Sequence, residues 1–482
     1  MKPKNNFKNF EEFLPPQLTA LERAKAKTLF LKEIALKMHK FYGGKMSVMP
    51  HSWADSDDWF NIWYTPGVSA VSTAIRDDNF ASFELTNRAN RVAIVSDGTR
   101  VLGDGDCTPS GGLGVMEGKA MLMKSLGGID ADALCIDSRG ADGKPSAQKI
   151  IDFVKMISPS YGAVNLEDIS QPNCYFALDA LRKECQIPVW HDDAQGTACV
   201  SAAALINALL LAGKDIRNVK IVLYGAGAAN STVAQFIIKL GADPRKIIMF
   251  DAFGALGRGR SDLEKNKSFY KQWELCKITN PACVSRKDEA FKNADVLIAL
   301  SKPGPGTIKP ELIKLMAHKA IVFACANPVP EIYPDQAKEA GAFITATGRG
   351  DFENQVNNSL CFPGILKGAL LCRANAISDS MALAAARAIA LYTQKTGLKE
   401  NRILPLMSES EVFALQAEAV AAAAISEGLA RVEIAKGFAY EKAKEDIAAS
   451  QALNKELMKS GFIKEPPRKL IEEALEETLK EI

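Results

Sequence analysis

Short, continuous apolar runs recur along this chain, and helical patterns separate them. They stand at "RVAIVSDG" (91–98), "DALCID" (132–137), "IPVWHDD" (187–193), "KIIMFD" (246–251), "DVLIAL" (295–300), "AIVFACANP" (320–328) and "AFITATG" (342–348). A strand that is apolar throughout, rather than at every second residue, must be covered on both faces. Strands of that kind alternating with helices imply parallel sheets sandwiched between helices. The expected fold class is therefore α/β. With 482 residues the chain exceeds one simple core, so more than one domain is expected. Beyond about residue 370 the sequence turns Ala-rich and helical, as in "SMALAAARAIALY" and "VFALQAEAVAAAAISEGLA". Near the start, "LTALERAKAKTLFLKEIALKMHKFY" has helical spacing of its apolar residues and reads as a packing or interface helix. Residues 1–60 as a whole are expected to form an irregular, partly helical section.

One strand–turn–helix stretch carries more information than the others. "VKIVLYGAGAANSTVAQFIIKLGA" (219–242) places a Gly-rich turn between an apolar strand and a helix. Gly225 permits the tight turn. Gly227 lets the backbone approach a pyrophosphate whose charge then sits at the helix N-terminus. Ala228 belongs to the same loop, and Asn230 occupies the third small position, where Gly or Ala is usual. Two dozen residues past Gly227, the strand "IIMFD" ends in Asp251. An acid there suits the adenosine ribose diol and repels a 2'-phosphate. Arg258 and Arg260 follow closely and are placed to meet such a phosphate. NAD is therefore the expected cofactor, with NADP as the alternative.

Two acid pairs stand at the exits of apolar segments: Glu167–Asp168 in "NLEDI" and Asp192–Asp193 in "WHDDAQGTA". Adjacent carboxylates joined by a third from another strand end make an oxygen-only site suited to Mg²⁺ or Mn²⁺. Read in isolation, each pair equally fits the acidic first turn or cap of a helix. Charged residues make up 24% and the formal net charge is +2, which gives no reason to expect nucleic acid or an anionic membrane as partner. The ten cysteines are scattered, without a CxxC pair or a zinc-type cluster with the four histidines. That pattern fits a reducing compartment, and a cytoplasmic location is expected. No apolar leader opens the chain, and the longest apolar run, near 200–213, reads as short of a membrane span.

Taken together and in order, "YTPGV", "VSDGTRVLG", "VMEGKAMLMKSLGGIDA", "NLEDI", "HDDAQGTA", "YGAGAAN", "ANPVPEI" and "GRGDFENQVNNSLCFPGI" resemble the malic enzymes, over about 60–440. The resemblance implies oxidative decarboxylation of L-malate to pyruvate and CO₂ with reduction of NAD(P)⁺. It implies Glu167, Asp168 and Asp193 as ligands of Mg²⁺ or Mn²⁺. Lys119 would be the general base, its pKa depressed by burial beside other cations, and Asp192 the acid that orients it. Tyr64 would be the general acid. Arg100 would grip a malate carboxylate, and Asn327 and Asn358 would contact substrate, Asn327 also lying near the cofactor. The implied architecture is a substrate, metal and catalytic domain at 1–192 and a Rossmann-like domain at 193–357. Helices over 358–482 would pack back on the first domain, with the active site between the two domains. A homodimer or higher homo-oligomer is expected. Three rivals stand beside this reading: a malolactic-type enzyme giving lactate without net redox, a non-catalytic nucleotide-sensing homologue, and an amino-acid dehydrogenase of similar build. The last has no use for a metal-ligating acid cluster.

Overall fold

A computed structural model describes residue 10, residues 13–101 and residues 103–482. Of the expected irregular section, residues 1–9, 11 and 12 lie outside the described residues. The chain groups into two compact units, Met1–Pro50 with Ala449–Ile482, and His51–Ala448. In the smaller unit the helix Ala20–Tyr42 opens with a capping box: the Glu22 N–H donates to Thr19 Oγ1, and Glu22 accepts from the Thr19 N–H at 2.8 Å. It closes on Gly43 in the left-handed region. Its buried face, Ala26, Phe30 and Ile34, packs on Ile471 and Ala474 of the helix Arg468–Lys480.

The larger unit holds two sheets. The first contains β1 (Arg91–Ser96), β2 (Asp130–Cys135), β3 (Ala163–Leu166) and β4 (Val189–His191), in the order β2-β1-β3-β4, all parallel. The second contains β5 (Ile221–Tyr224), β6 (Ile247–Asp251), β7 (Gly254–Ala255), β8 (Val296–Ala299), β9 (Ala320–Ala324) and β10 (Ala342–Thr347). Its order is β10-β9-β8-β5-β6-β7, parallel except for the short antiparallel edge β7. The central strands are buried on both faces, as continuous apolar runs require: Val92–Val95, Ile221–Leu223 and Val296–Ala299 are fully buried, whereas the edge strand β2, expected from its apolar run to be covered in the same way, is half-buried throughout. Each such Val, Leu or Ile contributes roughly 1.5–3 kcal/mol by leaving water. The two-sheet α/β architecture with C-terminal helices read from the sequence is the one observed.

The helix Phe362–Leu371 packs against the helix Leu113–Gly127 of the first half and against Glu411–Ser426. Two glycines allow the second approach: a Cβ on Gly364 would sit 2.6 Å from Gln416 Cβ, and one on Gly368 would sit 2.5 Å from the Ala417 carbonyl oxygen. The helix after β4 starts at Asp192, directly after the strand, because Asp192–Gly196 forms a turn of π-helix that runs into Thr197–Ala212. The resulting 21 residues, Asp192–Ala212, are long and apolar enough to cross a membrane, yet 78% of the apolar window is buried inside the protein. Burial of that extent marks a core helix.

Candidate active site

Strand register builds the site. β1, β3 and β4 are neighbours, with Val95 opposite Leu166 and Leu166 opposite His191. The residues that follow, Glu167–Asp168 and Asp192–Asp193, therefore leave adjacent strands side by side at their carboxyl ends. That is where open parallel sheets hold ligands. One carboxylate oxygen each of Glu167, Asp168 and Asp193 lies within 4.8 Å of the others. The turn is stiff. Asp168 sits in the left-handed region with φ of 53°, its N–H donates to Asp193 Oδ2 at 2.7 Å, and its carbonyl accepts from the Arg100 N–H at 3.0 Å. Glu167 and Asp168 are buried, whereas the Asp193 side chain is 35% exposed.

Three clustered carboxylates repel one another. Burial, and then Asp193, push Glu167 well above the usual carboxylate range, and Asp193 is raised chiefly by burial. A hard divalent cation relieves both effects, so the donor set fits Mg²⁺ or Mn²⁺. His191 is buried beside the cluster, its Nε2 3.5 Å from Asp193 Oδ2. Burial, and then Lys119, push it down to about 4, so at neutral pH it carries no charge.

Lys119 projects from the helix Leu113–Gly127, which ends on the left-handed Gly128. The amine donates to Asp192, lies 3.1 Å from Glu167 Oε1 and 3.3 Å from Asn358 Oδ1, and stands over the Phe362 ring. The Trp190 indole N–H donates to the other Asp192 oxygen at 3.0 Å, and burial raises Asp192 to about 6. The expectation of a depressed Lys119 is corrected by its surroundings. Burial does pull it down, but its neighbours are acids rather than cations. Asp192, Glu167 and Asp193 outweigh burial and hold it protonated. Neutralising Glu167 and Asp193 with a divalent cation would remove two of the three and leave Asp192 alone against burial.

Gly196 and Asp97 support this arrangement, and Glu331 the second sheet; the sequence reading gave none of the three a role. A Cβ on Gly196 would fall 1.9 Å from Asp192 Oδ1, so only glycine lets that carboxylate pass. Asp97 accepts from the Thr99 N–H and hydroxyl and from the Ser138 hydroxyl, and Thr99 Oγ1 accepts from the Ser170 N–H beyond the acid turn. Glu331 accepts from the N–H and hydroxyl of Ser301 and from the Ala326 N–H, fastening the loops after β8 and β9. Only their places inside "VSDGTRVLG", "HDDAQGTA" and "ANPVPEI" could have signalled them.

At the second sheet, β5 lies between β6 and β8, where strand order reverses. Gly225 has φ of 105°, and a Cβ there would meet the Leu300 carbonyl oxygen at 2.3 Å. Gly227 opens into free space at the start of the helix Ala228–Lys239. The Asn230 amide is fully buried and donates back to the Gly225 and Ile298 carbonyls, so it braces the loop from beneath. Ala228 and Ala226 are held through their carbonyls by the Tyr175 hydroxyl and the Gln272 amide. Asn327 lies where Gly348 and Gly103 approach it closely. Asp251 ends β6, and Arg260 grips it with two hydrogen bonds. Two expected residues are not drawn into the cluster. Tyr64 is 73% exposed, without a side-chain hydrogen bond among the described residues, and Arg100 touches the cluster through its backbone while its side chain is exposed.

Residues 44–182 match the malic enzyme N-terminal domain, and residues 194–425 match the malic enzyme NAD-binding domain. The NAD-dependent malic enzyme of Geobacillus stearothermophilus is 43% identical over 77% of this chain and 74% of its own length. The chain belongs to the malic enzyme family. The bifunctional malic/malolactic enzyme of Bacillus subtilis is 41% identical over 78% of this chain and 88% of its own. A solved malic enzyme structure from Entamoeba histolytica superposes with a TM-score of 0.98 at 52% identity, covering 100% of this chain and 99% of that one. Both halves of a malic enzyme are thus present, with Lys119, Glu167 and Asp168 in the first, the glycine loop in the second, and Asp192–Asp193 at the junction of the two matched ranges.

Proposed function

We propose that this chain converts L-malate and NAD⁺ to pyruvate, CO₂ and NADH. The observation that carries this reading is a buried lysine held between Asp192 and a three-carboxylate cluster at adjoining strand ends. A divalent cation on Glu167, Asp168 and Asp193 supplies the charge that makes a bound hydroxy acid more acidic and its keto form easier to decarboxylate. Lys119, held in place by Asp192, takes the C2 hydroxyl proton as hydride leaves C2. Asn358 orients the amine from the other side. Arg100 pairs with a substrate carboxylate, Asn327 lines the junction of substrate and cofactor, and Tyr64 returns a proton to C3 after CO₂ departs. Asp251 accepts the adenosine ribose hydroxyls, which favours NAD over NADP. Absorbance at 340 nm with malate, NAD⁺ or NADP⁺, and Mn²⁺ tests the reading. The expected result is Mn²⁺-dependent NADH formation, and its absence with both cofactors overturns it. The likeness to a bifunctional enzyme supports a second reading, malolactic chemistry, in which lactate forms without NADH.

The protein acts as a homo-oligomer in this reading. The helices Asp58–Trp63 and Val68–Asp77 bury none of their residues, and Phe60, Ile62 and Trp63 are about half exposed. A second copy covering this face removes that apolar surface from water. Light scattering that finds only a monomer contradicts it.

A further inference from the structure

The ribose end of the nucleotide site contains a charge arrangement that Asp251 alone does not explain. Arg260 lies between two carboxylates. Its Nη1 and Nη2 donate to Asp251 at 3.0 and 2.6 Å, and its Nε and Nη2 donate to Asp262 at 2.8 and 2.7 Å. Both bidentate edges of the guanidinium are therefore filled, and four of its five N–H groups are spent. Arg260 is mostly buried, whereas the Asp262 side chain is 56% exposed. Two acids against one arginine leave the group with one negative charge. Asp251 is further fixed by the Phe253 and Gly254 N–H groups. A 2'-phosphate brings close to two negative charges and needs a free guanidinium edge. Arg258 is the other arginine of the segment, with its Nε on the Lys277 carbonyl.

We infer that Asp262 is a specificity-determining residue: by filling the Nε edge of Arg260 it withholds that guanidinium from a 2'-phosphate and disfavours NADP. The inference rests on the reading of the glycine loop as a dinucleotide site. It separates two roles that Asp251 combines. Asp251 holds the ribose and also half-neutralises Arg260, so its removal changes both. Arg260 is the side chain that Asp262 pairs with, its carboxylate otherwise meeting the backbone N–H groups of Asp262 and Leu263, and its loss frees one edge and raises the local charge by one unit while Asp251 stays in place.

The test is calorimetric binding of NAD⁺ and NADP⁺ to the full chain, without malate, for the wild type, Asp262→Asn, Arg260→Gln and the double variant. The expected result is that Asp262→Asn tightens NADP⁺ by about tenfold relative to NAD⁺, the scale of one charge-assisted pair. That gain disappears when Arg260→Gln is the background. An unchanged NADP⁺/NAD⁺ ratio in Asp262→Asn overturns the inference, as does a gain that survives without Arg260. A wild type that binds neither nucleotide sinks the underlying dinucleotide reading instead. A wild type that prefers NADP⁺ sinks the NAD assignment.

Discussion

The site depends most on a residue with no side chain. Gly196 lies in the π-turn after β4, and the space a Cβ would need is occupied by Asp192 Oδ1 at 1.9 Å. Gly196→Ala must move the carboxylate that positions Lys119, or unwind the turn. A fall in kcat of at least about tenfold is expected, with a smaller change in KM for malate, as suits loss of positioning. Steady-state kinetics check this, and unchanged kcat would show that Asp192 has room to move. Lys119→Ala removes the base itself, and a loss in kcat of about 10²–10⁴ is expected. The acid pairs stood out in the sequence by their place at strand exits, while a role for Lys119 was legible only through its motif's resemblance to the malic enzymes. The charge state of Lys119 was not legible, since it depends on Asp192, 73 residues away, and on Glu167. Asp262 shows the same limit: one of two acids on a short, mostly exposed helix until Arg260 is seen between it and Asp251.

Among the elements, the helix Asp379–Gly397 shows how the C-terminal segment is fastened. The Ser378 hydroxyl accepts from the Met381 N–H at the helix start, and the Asp379 carboxylate in the first turn takes Lys239 and Arg182. Burial pushes Asp379 up, but Lys239 and Arg182 outweigh it and hold the acid below its ordinary value. The unfolded chain thus takes up this proton first as pH falls. The stabilisation is complete above the ordinary aspartate range and is lost as pH drops through the folded value. Asp379→Asn is expected to cost roughly 1–2 kcal/mol at pH 7. The difference from wild type closes as pH falls below the ordinary aspartate range. Thermal melts across pH check this, and a deficit that persists in acid contradicts it. The strands of the second sheet were legible because runs such as Val296–Ala299 are buried on both faces. β3 was less so, because the buried polar Asn165, whose amide donates to Glu167 at 2.9 Å, interrupts its apolar run. The π-turn left no pattern in the sequence, because it differs from an α-turn by a single residue of spacing.

For the molecule as a whole, a ligand that binds only the folded state adds stability. Mn²⁺ at about a hundredfold its Kd adds roughly 2.7 kcal/mol, a rise in Tm of a few degrees for a chain of this length. Asp193→Ala is expected to abolish that rise, and an equal shift in the variant would place the metal elsewhere. The two-sheet plan was legible as a whole, since alternating apolar runs and helices admit few arrangements. The grouping of Met1–Pro50 with Ala449–Ile482 was not, because it joins the two ends of the chain through side chains such as Phe30 and Ile471 that carry no motif. The parallel register of β1, β3 and β4 has a further consequence. One inserted residue within β3 or β4 would carry its acids about 3.3 Å along the strand and turn them to the opposite face. Length change is thus barred from β3 and β4 themselves, and any descendant of this chain must take it up in the connections outside them.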